Sequence, residues 1–290
     1  MPTLAKRPST TPIPVQLSAT EFHEFIFPHL SMPKRGPKCK LGYHHVFNLI
    51  LRVLYTGMQW KCLPVPTDVD GQPAIHYTTV YKVFARWCDD GSLERAFIAS
   101  VQHLADHQHL DLRILHGDGT NTVAKKGGDG IGYSGHKHQK GEKVIAIIDN
   151  NGYVLAPLPV APVNKADTVL FPEGLKALKR VAKLTGFELH GAYLNLDGGF
   201  DSAHNRKAIF NAGLIPNIKE NPRNRQTTKR GRKRWFNAAI HALRERVERT
   251  FAWEDKFKRL LLRFECIQQR HYGMKLMAYT LINLRRFCRA

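Results

Sequence analysis

The sequence contains no run approaching 18 consecutive apolar residues, which excludes a helix of ordinary membrane-spanning length. Its five cysteines, Cys39, Cys62, Cys88, Cys266 and Cys288, are scattered and never spaced C-x-x-C. A disulfide framework and a thiolate zinc site therefore both fit poorly, and a reducing cytoplasm fits best. Lys6 and Arg7 are followed by proline and threonine rather than by the apolar core of a secretory signal. No G-x-x-x-x-G-K-[ST] is present, so a built-in ATP motor is not expected. Acid is also scarce: 24 Asp and Glu stand against 44 Lys and Arg, a formal net charge of +20. A field of that sign attracts polyanions, and nucleic acid is the expected partner.

Within this basic chain 43% of residues are hydrophobic, enough for a sizeable core, and the length suggests about two domains. Residues 1–40 are rich in proline around one short apolar run, Phe22 to Phe27, and read as an irregular arm with one helix. The basic loop Lys34, Arg35, Lys38 and Lys40 follows. Val46, Leu49, Ile50, Val53 and Leu54 then recur at helical spacing. Thr78 can cap a second helix through Trp87, and Leu93, Phe97, Val101 and Leu104 mark a third. Residues 41–108 thus read as a small all-helical unit.

From residue 109 to 290 the pattern becomes mixed. Expected strands run from Arg113 to His116, Lys143 to Ile148, Tyr153 to Val160, Ala192 to Leu196 and Leu214 to Ile218. Expected helices span Asp167–Leu184, Ser202–Ala212, Phe236–Leu261 and Met274–Phe287. This is an α/β domain with a mixed sheet. Residues 219–235 form a basic insertion containing Lys229, Arg230, Arg232, Lys233 and Arg234, which is expected to touch phosphates.

Carboxylates are informative because they are few. Asp118 follows an expected strand within His116-Gly-Asp-Gly-Thr120, and Asp197 follows another within Leu196-Asp-Gly-Gly-Phe-Asp-Ser202. Strand C-terminal ends are where sites gather in open α/β sheets. The glycines keep bulk away from each acid, as a site admitting a polyanion requires. Each aspartate could instead simply cap a turn or a helix. A third acid comes from helical geometry: Ile240, Leu243, Val247 and Phe251 lie within about 40° of one line, the buried stripe. Glu248 lies about 100° from Val247 and Arg244 about 60°, both flanking that stripe, whereas Glu245 at about 160° points to solvent. Glu248 is the choice, and Glu254, back on the apolar line, is its rival. Three oxygen donors without a thiolate or imidazole cluster suit Mg²⁺ or Mn²⁺. Two such ions about 3.5–4 Å apart serve phosphodiester chemistry.

These segments resemble those of DDE transposases from bacterial insertion sequences, the IS-five-like family, over nearly the whole chain from about Leu30 to Cys288. Val53-Leu-Tyr-Thr-Gly-Met-Gln-Trp60-Lys-Cys-Leu63 and Thr79-Val-Tyr-Lys-Val-Phe-Ala-Arg-Trp87 resemble its helical DNA-binding region. Asp118-Gly-Thr, Leu196-Asp-Gly-Gly-Phe-Asp-Ser202 and Arg246-Val-Glu-Arg-Thr-Phe-Ala-Trp253 resemble its three acidic motifs. The resemblance implies a ribonuclease H-like catalytic domain preceded by a small helical DNA-binding domain. It also implies cutting and joining of DNA by Asp118, Asp197 and Glu248 with two metal ions. In the family's third motif Arg244 and Glu248 fit, while His241 stands in the usual Tyr position and Asp255 in the last basic one. Lys256 or Lys258 is then expected to supply that contact, with Lys82 and Arg86 of the helical unit on DNA. A homo-oligomer assembled on double-stranded DNA, both transposon ends and target, in a bacterial nucleoid completes the expectation. A sequence-specific DNA-binding protein, or a nuclease of the same fold that does not join strands, is the alternative.

Overall fold

The computed structural model describes residues 11–33, 35, 39–221 and 234–289. Helix α1 (Ala19–Phe25) opens with a reciprocal cap: Ser18 Oγ accepts the Glu21 amide and the Glu21 carboxylate accepts the Ser18 amide. Leu17, Phe22, Phe25 and Ile26 are buried, so the described part of the expected arm packs into the core. Lys34 and Lys38 lie outside the described residues. Helix α2 (Gly42–Thr56) ends where Gly57 takes the left-handed conformation, φ 75°, open to glycine at little cost. Helix α3 (Tyr77–Asp89) is capped by the His76 side chain, which accepts the Thr78 amide, rather than by Thr78 itself. Helix α4 (Ser92–Asp106) follows directly.

Strands β1 (Ile114–Ala124), β2 (Gly132–Ser134), β3 (Gln139–Ile148) and β4 (Val160–Pro162) come next. They are followed by α5 (Asp167–Thr185), β5 (Tyr193–Leu196), α6 (Ala203–Asn211) and β6 (Ile215–Ile218). Helices α7 (Ala238–Ala242) and α8 (Glu245–Glu254), strand β7 (Leu262–Arg263) and helix α9 (Gln268–Leu284) complete the chain. The sheet is mixed, ordered β2-β3-β1-β5-β6, with β4 on β3 and β7 on β1. The β1–β3 pair is antiparallel, whereas β1–β5 and β5–β6 are parallel.

Several expected elements differ in the structure: β1 does not stop at His116 but runs on through Asp118 to Ala124, and α9 starts at Gln268 rather than Met274. The segment from Tyr153 towards Val160 is a buried strap that makes a single bridge, Ile148 with Val154, and forms strand only at β4. A side chain replaces the missing strand partner: Asn283 of α9 accepts the Val154 amide at 3.0 Å and donates to the Val154 carbonyl at 2.9 Å. The single helix expected over Phe236–Leu261 is broken. The amides of Leu243 and Arg244 reach back only three residues, to Ile240 and His241, and the Asn195 side chain also donates to the Ile240 carbonyl. The tightened turn separates α7 from α8, and α8 stops at Glu254.

Helix α9 is buried almost all round, fourteen of its seventeen residues, because α3, α4, α8 and the Val154 strap all pack against it. One hydrophobic cluster therefore runs from Ile13 to Cys288. Several polar groups of α9 are paired: Glu254 of α8 holds both Lys275 and Tyr279, and Arg270 grips Asp89 with Nη2 at 2.7 Å. Among the described residues no helix is long and apolar enough to cross a membrane.

The turn that starts the strap is organised by Asp149, fully buried, which accepts the amides of Asp111, Asn151 and Tyr153 at 2.8–2.9 Å. Burial nevertheless pushes its carboxyl up to about 7. The folded state thus prefers the protonated form, so this group's contribution is full below the ordinary value of 3.8 and is lost as pH rises through about 7. Urea midpoints measured from pH 5 to 8 are expected to decline less steeply in Asp149→Asn than in the wild type; equal slopes would contradict this assignment.

Candidate active site

The site grows from the parallel pairing of β1 and β5. His116 lies opposite Asn195 in that register, so Asp118, still inside β1 and paired with Ala146 of β3, and Asp197, the first residue past β5, come side by side two residues further on. Beneath them runs a buried polar chain. His116 Nε2 donates to Asn150 Oδ1 and its Nδ1 accepts from Asn195, both at 3.2 Å, the tautomer that this network assigns. Asn195 Oδ1 accepts from Asn217 at 3.1 Å, and Asn217 Oδ1 accepts the Asn237 amide at 2.8 Å. Asn237 in turn caps α7. Hydrogen bonds that leave no buried polar partner unmatched tie three strands to the start of α7, and so fix where α8 begins.

Asp118 is partly buried, its side chain 21% exposed. Its Oδ1 accepts the Gly119 amide at 2.8 Å and its Oδ2 accepts from Arg244 Nη2 at 2.7 Å. Burial pushes this carboxyl above its ordinary value, the Arg244 guanidinium pulls it down, and the Asp197 and Asp167 carboxylates push it up again. Like charges are thus gathered here. Asp197 Oδ1 accepts the Gly199 amide at 2.7 Å, capping the short 3₁₀ turn Gly198–Phe200. That bond occupies one of its two oxygens.

The acids of α8 separate clearly. Glu254, the rival on the apolar line, is buried and committed to Lys275 and Tyr279, a core pairing. Glu245 is exposed and lies 3.7 Å from Arg249. Glu248 is exposed one turn beyond Arg244, and so on the side of α8 from which Arg244 reaches Asp118. It does not close the triad in this structure: among the described residues, no three His, Cys, Asp or Glu side chains are gathered as a metal-binding group. The donor chemistry, carboxylate oxygens without sulfur, suits a hard divalent cation, and the mutual repulsion of Asp118, Asp197 and Asp167 is what such a cation relieves.

The basic candidates divide by engagement. Lys256 and Lys258 are exposed beyond the end of α8, with Lys258 Nζ donating to the Asp255 carbonyl at 3.1 Å. They do not continue a helical stripe, because the helix has ended. Arg234 turns inward to Asp201 at 2.8 Å and Glu220 at 3.6 Å. Lys82 is exposed on α3, whereas Arg86 has Nε and Nη2 buried without hydrogen-bond partners. Lys229, Arg230, Arg232 and Lys233 lie outside the described residues. His241 stands beside Arg244, Lys219 and Asp197, and burial, with those two cations, holds its imidazole below the ordinary value.

Sequence reasoning missed Asp167 and Lys143. Lys143 Nζ sits 2.8 Å from Asp167 Oδ1, on the far side of the Asp118-Gly119 segment from Arg244. An acid at the first position of a helix is the ordinary complement to the helix dipole, which conceals any further role.

The site is thus two acids on adjacent parallel strands of a mixed sheet, one within β1 and one just past β5, with Arg244 at the start of α8 paired to the first. Residues 109–281, more than half of the chain, match the model described as Transposase DDE domain, and the chain belongs to that family. No curated protein matches it significantly. Among solved structures it is similar to the Mos1 transposase paired-end complex with left transposon end, at 10% identity and TM-score 0.27, covering 64% of this chain and 61% of that one. The Mos1 mariner paired end complex with Mn shows 10% identity and TM-score 0.26, with 68% and 64% covered. A pre-cleavage Mos1 transpososome shows 11% identity and TM-score 0.30, with 89% and 81% covered. The chain thus spans less than two thirds of the first two.

Proposed function

We propose that the chain is a transposase of a bacterial insertion sequence, IS-five-like, with a ribonuclease H-like catalytic domain that cuts the element's ends and joins them to target DNA. The observation that carries this reading is the placement of Asp118 within β1 beside Asp197 just past the parallel neighbour β5, with Arg244 bringing the start of α8 onto Asp118. Asp118, Asp197 and Glu248 would hold Mg²⁺ or Mn²⁺, two ions in the full reading. When bound, the ions supply charge stabilisation at the scissile phosphate and a more acidic water or hydroxyl.

The chain's own side chains do the rest. Arg244 orients the Asp118 carboxylate and balances its charge, and the His116–Asn195–Asn217 chain keeps β1, β5 and β6 in register beneath it. The glycines after each aspartate do not open onto free space as expected: Gly119 and Gly199 face the Asp167 carboxylate and Gly198 faces the Lys219 carbonyl, so a phosphate must approach from another side. Lys256 and Lys258 meet phosphates beyond α8. Lys82 on the exposed side of α3 reads or grips end DNA, with residues 41–108 as the terminal-repeat-binding unit. Two ends must be joined, so the active form is a homo-oligomer on double-stranded DNA, in the bacterial cytoplasm at the nucleoid. The match to the Transposase DDE domain supports DNA as the partner.

Labelled DNA carrying the inverted repeats that flank the coding region, incubated with the protein, Mn²⁺ and a target plasmid, tests the reading. Joined products are expected; hydrolysed ends without joining would favour a nuclease, and binding without any cleavage a regulator.

A further inference from the structure

The glycines beside the two aspartates make room for a third carboxylate. A Cβ on Gly119 would lie 3.1 Å from Asp167 Oδ1, and a Cβ on Gly199 would lie 3.6 Å from Asp167 Oδ2 and 2.9 Å from Asp197 Oδ1. The Asp167 carboxylate is therefore wedged between the segment that carries Asp118 and the turn that carries Asp197, in space that only glycines leave. It is steered there. Lys143 Nζ, on a side chain only 12% exposed, pairs with Oδ1 at 2.8 Å and also donates to the Lys165 carbonyl at 3.0 Å. The start of α5 is locked to the Asp197 turn by Asn205, whose Nδ2 donates to the carbonyls of Thr168 and Phe200 at 3.2 and 3.1 Å. Phe171 meets Phe200 edge-on with ring centroids 5.8 Å apart. A residue serving only the helix dipole needs no such seat, since any exposed first-turn position suffices.

We propose that Asp167, held by Lys143, is a positioning residue of the active site, a further carboxylate that sets the spacing of the Asp118-Gly119 and Asp197-Gly198-Gly199 segments. It braces both aspartates from the side of the sheet opposite Arg244. The pair Lys143–Asp167 and the pair Arg244–Asp118 thus flank the same strand with opposite-charge contacts. This inference rests on the function proposed above.

The test uses the full chain with end DNA, comparing the wild type with Asp167→Asn, Lys143→Gln and Gly119→Ala. Gly119→Ala retains every charge and displaces only the wedged carboxylate. Three quantities are read: the affinity for DNA without metal, the Mn²⁺ concentration that half-saturates a thermal shift, and the cleavage rate at saturating DNA. Asp167→Asn is expected to leave DNA affinity unchanged, to raise the half-saturating Mn²⁺ by about tenfold or more, and to slow cleavage by a similar factor, the scale at which outer partners of a metal site act. Lys143→Gln and Gly119→Ala are expected to shift the same two quantities in the same direction, and they decide the matter should Asp167→Asn fail to fold. A lowered melting temperature with wild-type Mn²⁺ response and rate would mark a helix-end role alone and overturn the inference. A wild type that neither responds to Mn²⁺ nor cuts would sink the reading of the site, and this inference with it.

Discussion

Asp197→Asn is expected to cut end DNA at least about a hundredfold more slowly than the wild type, the scale of losing one electrostatic partner of a transition state. The substitution is chosen because asparagine keeps an oxygen that can accept the Gly199 amide, now bonded at 2.7 Å, while the charge is removed. Stability and metal-free DNA binding should therefore stay near wild type. Were Asp197 only a turn cap, the outcomes would reverse. Asn would cut normally, and Ala would cost about 1 kcal/mol of stability, the usual value of such a cap, with activity intact. Asp118→Asn is expected to lose activity similarly, with some stability as well, because the Arg244 guanidinium at 2.7 Å then faces a neutral amide. Glu254→Gln is the internal comparison: Glu254 belongs to a buried pairing with Lys275 and Tyr279, so its loss should appear in unfolding before it appears in chemistry.

Arg263→Met carries the largest expected effect on stability. Arg263 is fully enclosed and reaches Glu142 and Asp129 at 2.8 Å and the carbonyls of Glu265 and Cys266 at 2.9 and 3.1 Å. Glu142, only 1% exposed, would be left with His271, 3.4 Å away. Breaking a buried pair by removing one partner costs about 3–5 kcal/mol, because a charge remains that nothing compensates. Chemical denaturation should show a loss of that order in Arg263→Met, partly recovered in the double variant with Glu142→Gln. A loss below about 1 kcal/mol would mean that the pair contributes no more than a surface contact does. The network also matters to the site, since β7 pairs with β1 at Ala124 and Arg263 while Glu142 neighbours Lys143 on β3.

Much of this architecture was legible where local pattern and final packing agree. The apolar spacing of Val46, Ile50, Val53 and Leu54 is buried on α2 as its period requires, and the apolar run ending at Leu196 is the strand that presents Asp197. Asp118 and Asp197 were found because an acid and a glycine after an apolar run is unusual in so basic a chain, although the strand expected to end before Asp118 continues through it to Ala124. What escaped depends on partners far away in sequence. No local signal tells that Asn283 will satisfy the Val154 backbone and spare the strap from being a strand. The break before α8 follows from Asn195 and the Arg244–Asp118 pair, which helical periodicity cannot see. Helix α9 is encased on both sides, so its sequence has little amphipathic contrast to read. Asp167 was hidden by its own position, because a helix start already accounts for an acid.

The central claim is that acids from β1, from the end of β5 and from α8 act on the same divalent cations. It is tested most directly by Mn²⁺ titration calorimetry of the protein bound to end DNA, for the wild type and for Asp118→Asn, Asp197→Asn and Glu248→Gln. Binding weakened by about tenfold or more in each of the three variants is the predicted result, in line with the sensitivity of metal sites to the loss even of outer partners. Wild-type Mn²⁺ affinity in Glu248→Gln, with the other two impaired, would contradict it.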